Sequence, residues 1–132
     1  MGVLTPRVRK FLDGKRIGKL ATVMEDGWPH VTPIWYMREG DRLVINTTTT
    51  RVKYRNVKRD GRVCFLVDDD YPYVVIFGTA RIAGERDRMK DIEKLAIRYT
   101  GKEAGTKAAR TRFWKEPRAS IEITPERVVV EL

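Results

Sequence analysis

Apolar positions along these 132 residues recur with two different periods, and each change of period marks an element. Near the start, Thr5-Pro6 reads as a helix cap and first helical position. Val8, Phe11 and Leu12 share one face behind it, and Gly14 is the stop. Alternating stretches follow. Ile17 to Met24 predicts a strand, and Glu25-Asp26-Gly27 a hairpin turn in which glycine supplies the positive φ. Trp28 to Met37 is the return strand. Pro29 and Pro33 remove ladder donors from it, which assigns it an edge or a bulge. A second turn, Arg38 to Asp41, leads into a strand over Arg42 to Thr47.

A short helix is predicted from Arg51, closing near Asp60-Gly61. Arg62 to Asp68 is an apolar strand, and after an acidic turn Tyr73 to Ala83 is a long one. Gly78 lies in its interior, a position for a bulge or a close approach. Met89, Ile92, Leu95 or Ala96, and Tyr99 recur at helical spacing, so Glu85 to Tyr99 predicts a helix. Ala104 to Lys115 predicts another, ended by Pro117. Ala119 to Val130 is a last strand, with Ile121, Ile123, Val128 and Val130 on the buried side of an alternation that falters around Pro125. Six strands, mostly joined by short antiparallel turns, with three or four helices, predict a mainly β chain. The expected shape is a closed or half-closed antiparallel barrel with helices over its open parts. Neither repeated strand–helix units nor a glycine-rich dinucleotide fingerprint is present, which disfavours a doubly wound nucleotide fold. No repeat or linker divides residues 1–132, which read as one domain.

Composition narrows the partners. Hydrophobic content of 42% is ordinary for a globular chain. No apolar run is long enough to span a bilayer, and the first residues lack a signal-peptide core, so a soluble cytoplasmic protein is expected. The single cysteine, Cys64, sits in an apolar strand and reads as a buried structural thiol. One histidine, His30, excludes a multi-histidine metal site and a two-histidine proton relay. It reads as an exposed strand residue. Asp68-Asp69-Asp70 lacks the spacing and closing glutamate of a calcium loop and reads as a solvated turn. The net charge of +9 points to anionic partners. The chain has no glutamine, only Asn46 and Asn56 as asparagines, and 34% charged residues. This is the bias of a heat-adapted protein, and it enriches surface lysine and arginine by itself.

The chemistry concentrates in Asn46-Thr47-Thr48-Thr49-Thr50-Arg51-Val52-Lys53-Tyr54-Arg55-Asn56. Thr50 is positioned as the N-cap of the short helix. Arg51 and Lys53 then fall in its first turn, where cations oppose the helix dipole. An anion at that point removes the conflict, and free amides, hydroxyls and two cations together suit a phosphate. A solvated basic helix start is the alternative. A further alternative is a basic nucleic-acid-binding barrel with Tyr36, Tyr54, Tyr71, Tyr73 and three tryptophans as stacking platforms. Against it, the aromatic residues are not gathered on one strand with interleaved basic ones. The basic residues cluster instead at Lys53 to Arg62 and Arg81 to Arg98.

Four segments, in this order, resemble the pyridoxamine 5'-phosphate oxidase-like, FMN-binding split-barrel family, and within it the short F420-dependent branch. They are Gly18-Lys19-Leu20-Ala21-Thr22-Val23, Asp26-Gly27-Trp28-Pro29-His30-Val31-Thr32-Pro33-Ile34-Trp35-Tyr36, the stretch from Arg51 to Val63, and Val75-Ile76-Phe77-Gly78-Thr79-Ala80. The resemblance implies a six-stranded split barrel that works as a homodimer, with a cofactor in each cleft between subunits. It implies that Arg51 and Lys53 hold the cofactor phosphate, with Thr50 near that end. Pro33, Ile34 and Trp35 would run alongside the ring, with Asn46 and Thr47 beneath it. Trp114 is either a cap on the partner's cofactor or a packing residue. FMN is the implied cofactor and coenzyme F420 the alternative, whose acidic tail Lys58, Arg59 and Arg55 would be placed to meet. The implied activity is redox chemistry on a small molecule. A non-catalytic cofactor binder on the same scaffold is the remaining alternative. The longer C-terminal segment that helps bind pyridoxal in the vitamin-B6 oxidase is missing, so that substrate is not implied.

Overall fold

Helix α1 (Pro6–Asp13) starts where Thr5 accepts from the amide of Val8 at 3.3 Å, with proline at its first position, and Gly14 follows it. The structure, a computed structural model, describes residues 2–132. Seven strands come next: β1 (Gly18–Val23), β2 (Pro29–Ile34), β3 (Tyr36–Glu39), β4 (Arg42–Thr48), β5 (Arg62–Asp68), β6 (Tyr73–Ile82) and β7 (Arg118–Glu131). All pairs are antiparallel, and the sheet order is β2-β1-β5-β6-β7-β4-β3.

The strand count exceeds the expected six because the return strand after the first hairpin is broken at Trp35. Pro33 still pairs with Lys19, and Ile34 pairs with Gly18, where β1 begins, so the β1–β2 ladder runs out at Ile34. β2 therefore pairs with β1 while β3 pairs with β4, at opposite ends of the sheet. One residue separates the two edges in sequence, so the sheet has to curl until they meet. The result is an antiparallel split barrel whose seam lies at Trp35.

Inside the curl, Leu20, Phe65, Ile76, Ile121, Ile45 and Tyr36 are buried. Val8 and Leu12 of α1 close one end. The Tyr36 hydroxyl donates to the carbonyl of Leu12 at 2.7 Å, and burial pushes its pKa up to about 12. On the opposite face, cross-strand neighbours Val31, Ala21, Cys64 and Phe77 form one apolar row, and Leu66, Val75 and Val129 another. Among the described residues these rows are only partly covered: Ala21, Cys64, Leu66, Val75 and Phe77 are half-buried, and Val31 is 63% exposed. Cys64 belongs to this outer face and is half-buried rather than a core thiol, and burial raises its pKa.

A bulge between Phe77 and Gly78 shifts the β6–β7 register, and a Cβ at Gly78 would collide with the carbonyl of Thr124. The shift explains the faltering alternation near Pro125, since it returns Val128 and Val130 to the face of Ile76 and Val74; Val130, near the strand's end, is nevertheless 42% exposed.

Helix α2 (Val52–Arg59) bridges β4 and β5. Helix α3 (Arg88–Thr100) begins later than its apolar pattern implied, because Asp87 caps the amides of Met89 and Lys90 at 3.2 and 3.0 Å. Helix α4 (Lys102–Thr111) crosses α3 with Gly105 against the backbone of Ile97, where a side chain has no room. It gives way to a 3-10 turn, Phe113–Lys115, in place of the continuous helix expected there. No described helix is long and apolar enough to cross a membrane.

Candidate functional site

A cleft of about 520 Å³ opens at the seam, between residues Pro33 to Trp35 on one side and α3 with the 3-10 turn on the other. Ile17, Pro33, Ile34, Trp35, Ile92, Leu95 and Phe113 make its apolar part. Asn46, Arg51, Arg112, Glu116 and Arg118 make its polar part. The wall is rigidly built. Trp35 stacks on Tyr99 and meets Phe113 edge-on, with ring centroids 6.0 Å apart and planes at 89°. Tyr99 is itself fixed, since its hydroxyl donates to the carbonyl of Arg16 at 2.6 Å and accepts from the amide of Tyr36 at 3.2 Å.

The polar part rests on a buried network. Asn46 accepts from Arg118 Nε at 2.9 Å and donates to Ser120 Oγ at 3.3 Å and to the carbonyl of Arg88 at 3.0 Å. Ser120 donates to Asp91 at 2.6 Å, and Arg86 binds both oxygens of Asp91 at 2.8 and 3.0 Å. Burial alone would raise the Asp91 carboxyl, yet the bonds from Arg86 and Ser120 hold it below its ordinary value. Arg118 also donates to Glu116 at 2.8 Å. Burial lowers the Arg118 pKa despite Glu116, and Arg51 and Arg112 add to the lowering.

The onset of α2 differs from expectation in one respect. Arg51 is the cap residue of that helix and no side chain caps it. Thr50 is exposed and bonds instead to the hydroxyl of Thr48, at 3.0 Å. The first-turn amides are therefore left without the threonine acceptor. Arg51 lines the cleft and forms no ion pair among the described residues. Lys53 is buried with no acidic partner among them, and burial together with Arg51 lowers its pKa. Two other cations of this region are engaged: Arg55 donates to the carbonyl of Thr50 at 3.0 Å, and Arg59 to that of Val23.

Of the residues singled out from sequence, the fold thus gathers Pro33, Ile34, Trp35, Asn46 and Arg51 in one cleft. Thr47, Thr50, Lys53 and Trp114 do not contribute to its lining. Thr47 is buried beside Ala119 in the ladder. Trp114 donates from its indole to the carbonyl of Met89 at 2.9 Å, while its neighbour Phe113 faces the cleft. His30 is half-buried rather than exposed. Its Nδ1 and the hydroxyl of Thr32 are shielded without a hydrogen-bond partner among the described residues. Tyr36, a residue of the stacking platform weighed above, is fully buried. Ile92 and Leu95 were legible only as a helix face. Arg112, Glu116 and Arg118 carried no sequence signal beyond charge.

A family model described as pyridoxamine 5'-phosphate oxidase matches residues 4–130. A 5a,11a-dehydrotetracycline/5a,11a-dehydrooxytetracycline reductase of Streptomyces rimosus is 35% identical over 91 residues. That stretch is 59% of this chain and 64% of the reductase, so the chain matches less than two thirds of that relative. Among solved structures, a conserved hypothetical protein of Mycobacterium tuberculosis superposes with a TM-score of 0.77 at 28% identity, over 97% of this chain and 84% of that one. An F420 reductase superposes with a TM-score of 0.71 at 28% identity, over 92% and 94%.

Proposed function

The chain belongs to the pyridoxamine 5'-phosphate oxidase family, and on that premise we propose that it is an oxidoreductase that binds FMN in the cleft at the seam and acts on a small molecule. The observation that carries this reading is the cleft itself. It is apolar and aromatic along Pro33, Ile34, Trp35 and Phe113, and cationic where Arg51 begins α2. A flat ring joined to a phosphate has the same division. When bound, such a ring exchanges a hydride with its substrate.

The chain's own residues do the rest. Arg51, with Lys53 in the same helical turn, holds the phosphate, and the uncapped amides of α2 add donors. Trp35, stacked on Tyr99, would form one apolar wall for the ring. Asn46 holds Arg118 in place and sets the polar floor. No side chain is required to act as an acid or base at the ring.

The likeness to an F420 reductase favours a second reading, with coenzyme F420 in place of FMN. Its ring, ribityl chain and phosphate make the same demands on the cleft.

We further propose a homodimer. The partly covered apolar rows across β2, β1, β5, β6 and β7 give a second copy a face to pack on.

Mass spectrometry of the small molecule released from protein expressed in a host that makes both cofactors tests the proposal. FMN is expected, and a bound ring that bleaches with dithionite and recovers with an acceptor supports redox work. A colourless protein that retains neither cofactor, and takes up neither when mixed with them, overturns it.

A further inference from the structure

We propose that Arg112 and Arg118 form a second anion subsite in the cleft, one that receives a carboxylate on the small molecule undergoing the redox reaction; this rests on reading the cleft as the cofactor site. The lining carries three guanidinium groups, of Arg51, Arg112 and Arg118, against one carboxylate, that of Glu116. Glu116 is already paired with Arg118, at 2.8 Å. A cofactor phosphate answers Arg51 and Lys53. One uncompensated positive charge then remains between Arg112 and Arg118, which calls for a monoanion.

The geometry of the two arginines supports the same assignment. Both guanidinium carbons lie 5.3 Å from the centroid of the Phe113 ring. The Arg118 side chain is only 9% exposed. Its Nε is committed to Asn46 and one terminal nitrogen to Glu116, so its plane is fixed. Its other terminal nitrogen makes no hydrogen bond among the described residues, and neither does the guanidinium of Arg112. For Arg118, which is buried, an unfilled donor is costly unless something accepts from it, whereas Arg112 is exposed at the cleft mouth and hydrated until an anion arrives. A planar carboxylate matches the donors of a fixed guanidinium better than a lone point charge does. Trp35, Ile92, Leu95 and Phe113 stand beside these donors and suit an apolar body attached to the carboxylate.

Calorimetric titration of FMN-loaded protein with benzoate, and with benzamide as its neutral counterpart, tests the subsite. Benzoate is expected to bind about tenfold tighter than benzamide. Arg112→Ala is expected to remove that preference while FMN affinity stays within about twofold, and Arg118→Lys to reduce it while also lowering the melting temperature, because the bond to Asn46 is lost. Equal affinities for the two probes overturn the proposal. So does loss of FMN in Arg112→Ala, which would place Arg112 at the cofactor phosphate. A γ-linked diglutamate that binds more tightly than benzoate also overturns it, by giving the arginines to a cofactor tail. If wild-type protein takes up no FMN, the cofactor reading fails on its own, and the same two titrations on the unloaded protein still decide the subsite.

Discussion

Trp35 lies flat on Tyr99, with ring centroids 5.2 Å apart and planes 5° from parallel. This contact joins the seam of the barrel to α3, because Trp35 is the single residue between β2 and β3 and Tyr99 lies in the last turn of that helix. The Tyr99 hydroxyl ties the same point to the backbone at Arg16 and Tyr36. The cleft wall is thus fixed at the one place where the sheet is not continuous.

Removing the stack should loosen the wall. Tyr99→Phe keeps the ring but leaves the Tyr36 amide and the Arg16 carbonyl without this partner, a cost of about 1–2 kcal/mol in a urea titration. Tyr99→Ala also frees Trp35 and should weaken FMN binding in a fluorescence titration. Unchanged affinity in Tyr99→Ala would show that Trp35 needs no support to hold the ring.

Arg51 and Lys53 separate binding from stability. Loss of two charge-assisted contacts to a phosphate corresponds to about 3 kcal/mol or more, roughly a hundredfold in Kd, for the Arg51→Ala, Lys53→Ala double variant. Circular dichroism should show the fold intact, since neither side chain has an ion-pair partner among the described residues. Lys53→Met should raise the melting temperature of the unliganded protein, because it removes a buried and unpaired charge. Equal FMN affinity in the double variant would remove the phosphate assignment.

Asp91 ties stability to pH. Its folded-state pKa lies below the unfolded one, so the unfolded chain binds its proton more readily. The stability it contributes is therefore complete above the ordinary aspartate range, and is lost as pH falls through that range to the lower folded-state value. Asp91→Asn should cost about 3 kcal/mol near neutral pH, where it strips Arg86 of its buried partner. It should also flatten the acid limb of the stability profile. An acid limb as steep in the variant as in the wild type would assign the pH dependence to other carboxylates.

Charge on this partly covered outer face should break the dimer. Val31→Asp with Val129→Asp places two carboxylates on exposed positions of the apolar rows. The monomer tolerates them, whereas packing two copies on this face would bury them unpaired. Sedimentation velocity should report a monomer with an unchanged circular dichroism spectrum. A dimer of wild-type strength would place the interface elsewhere.

The sequence by itself determined the elements and the chemistry of the α2 onset. Its signals there are local: alternation, turn glycines, Thr5-Pro6, and two cations opposing a helix dipole. It also marked both sides of the cleft, since Pro33 to Trp35 and Asn46 to Arg51 each lie in one short run. Tertiary structure alone decided three things. The seam at Trp35 depends on which strand each half of the broken segment pairs with, a choice made by partners distant in the chain. The register of β7 on β6 depends on a bulge between Phe77 and Gly78, where the glycine leaves room for the carbonyl of Thr124. The remaining cleft cations, Arg112 and Arg118, stand more than sixty positions beyond Arg51 among many surface arginines. Only the pairing of β7 with β4, which sets Ser120 opposite Asn46, brings them to the same cleft.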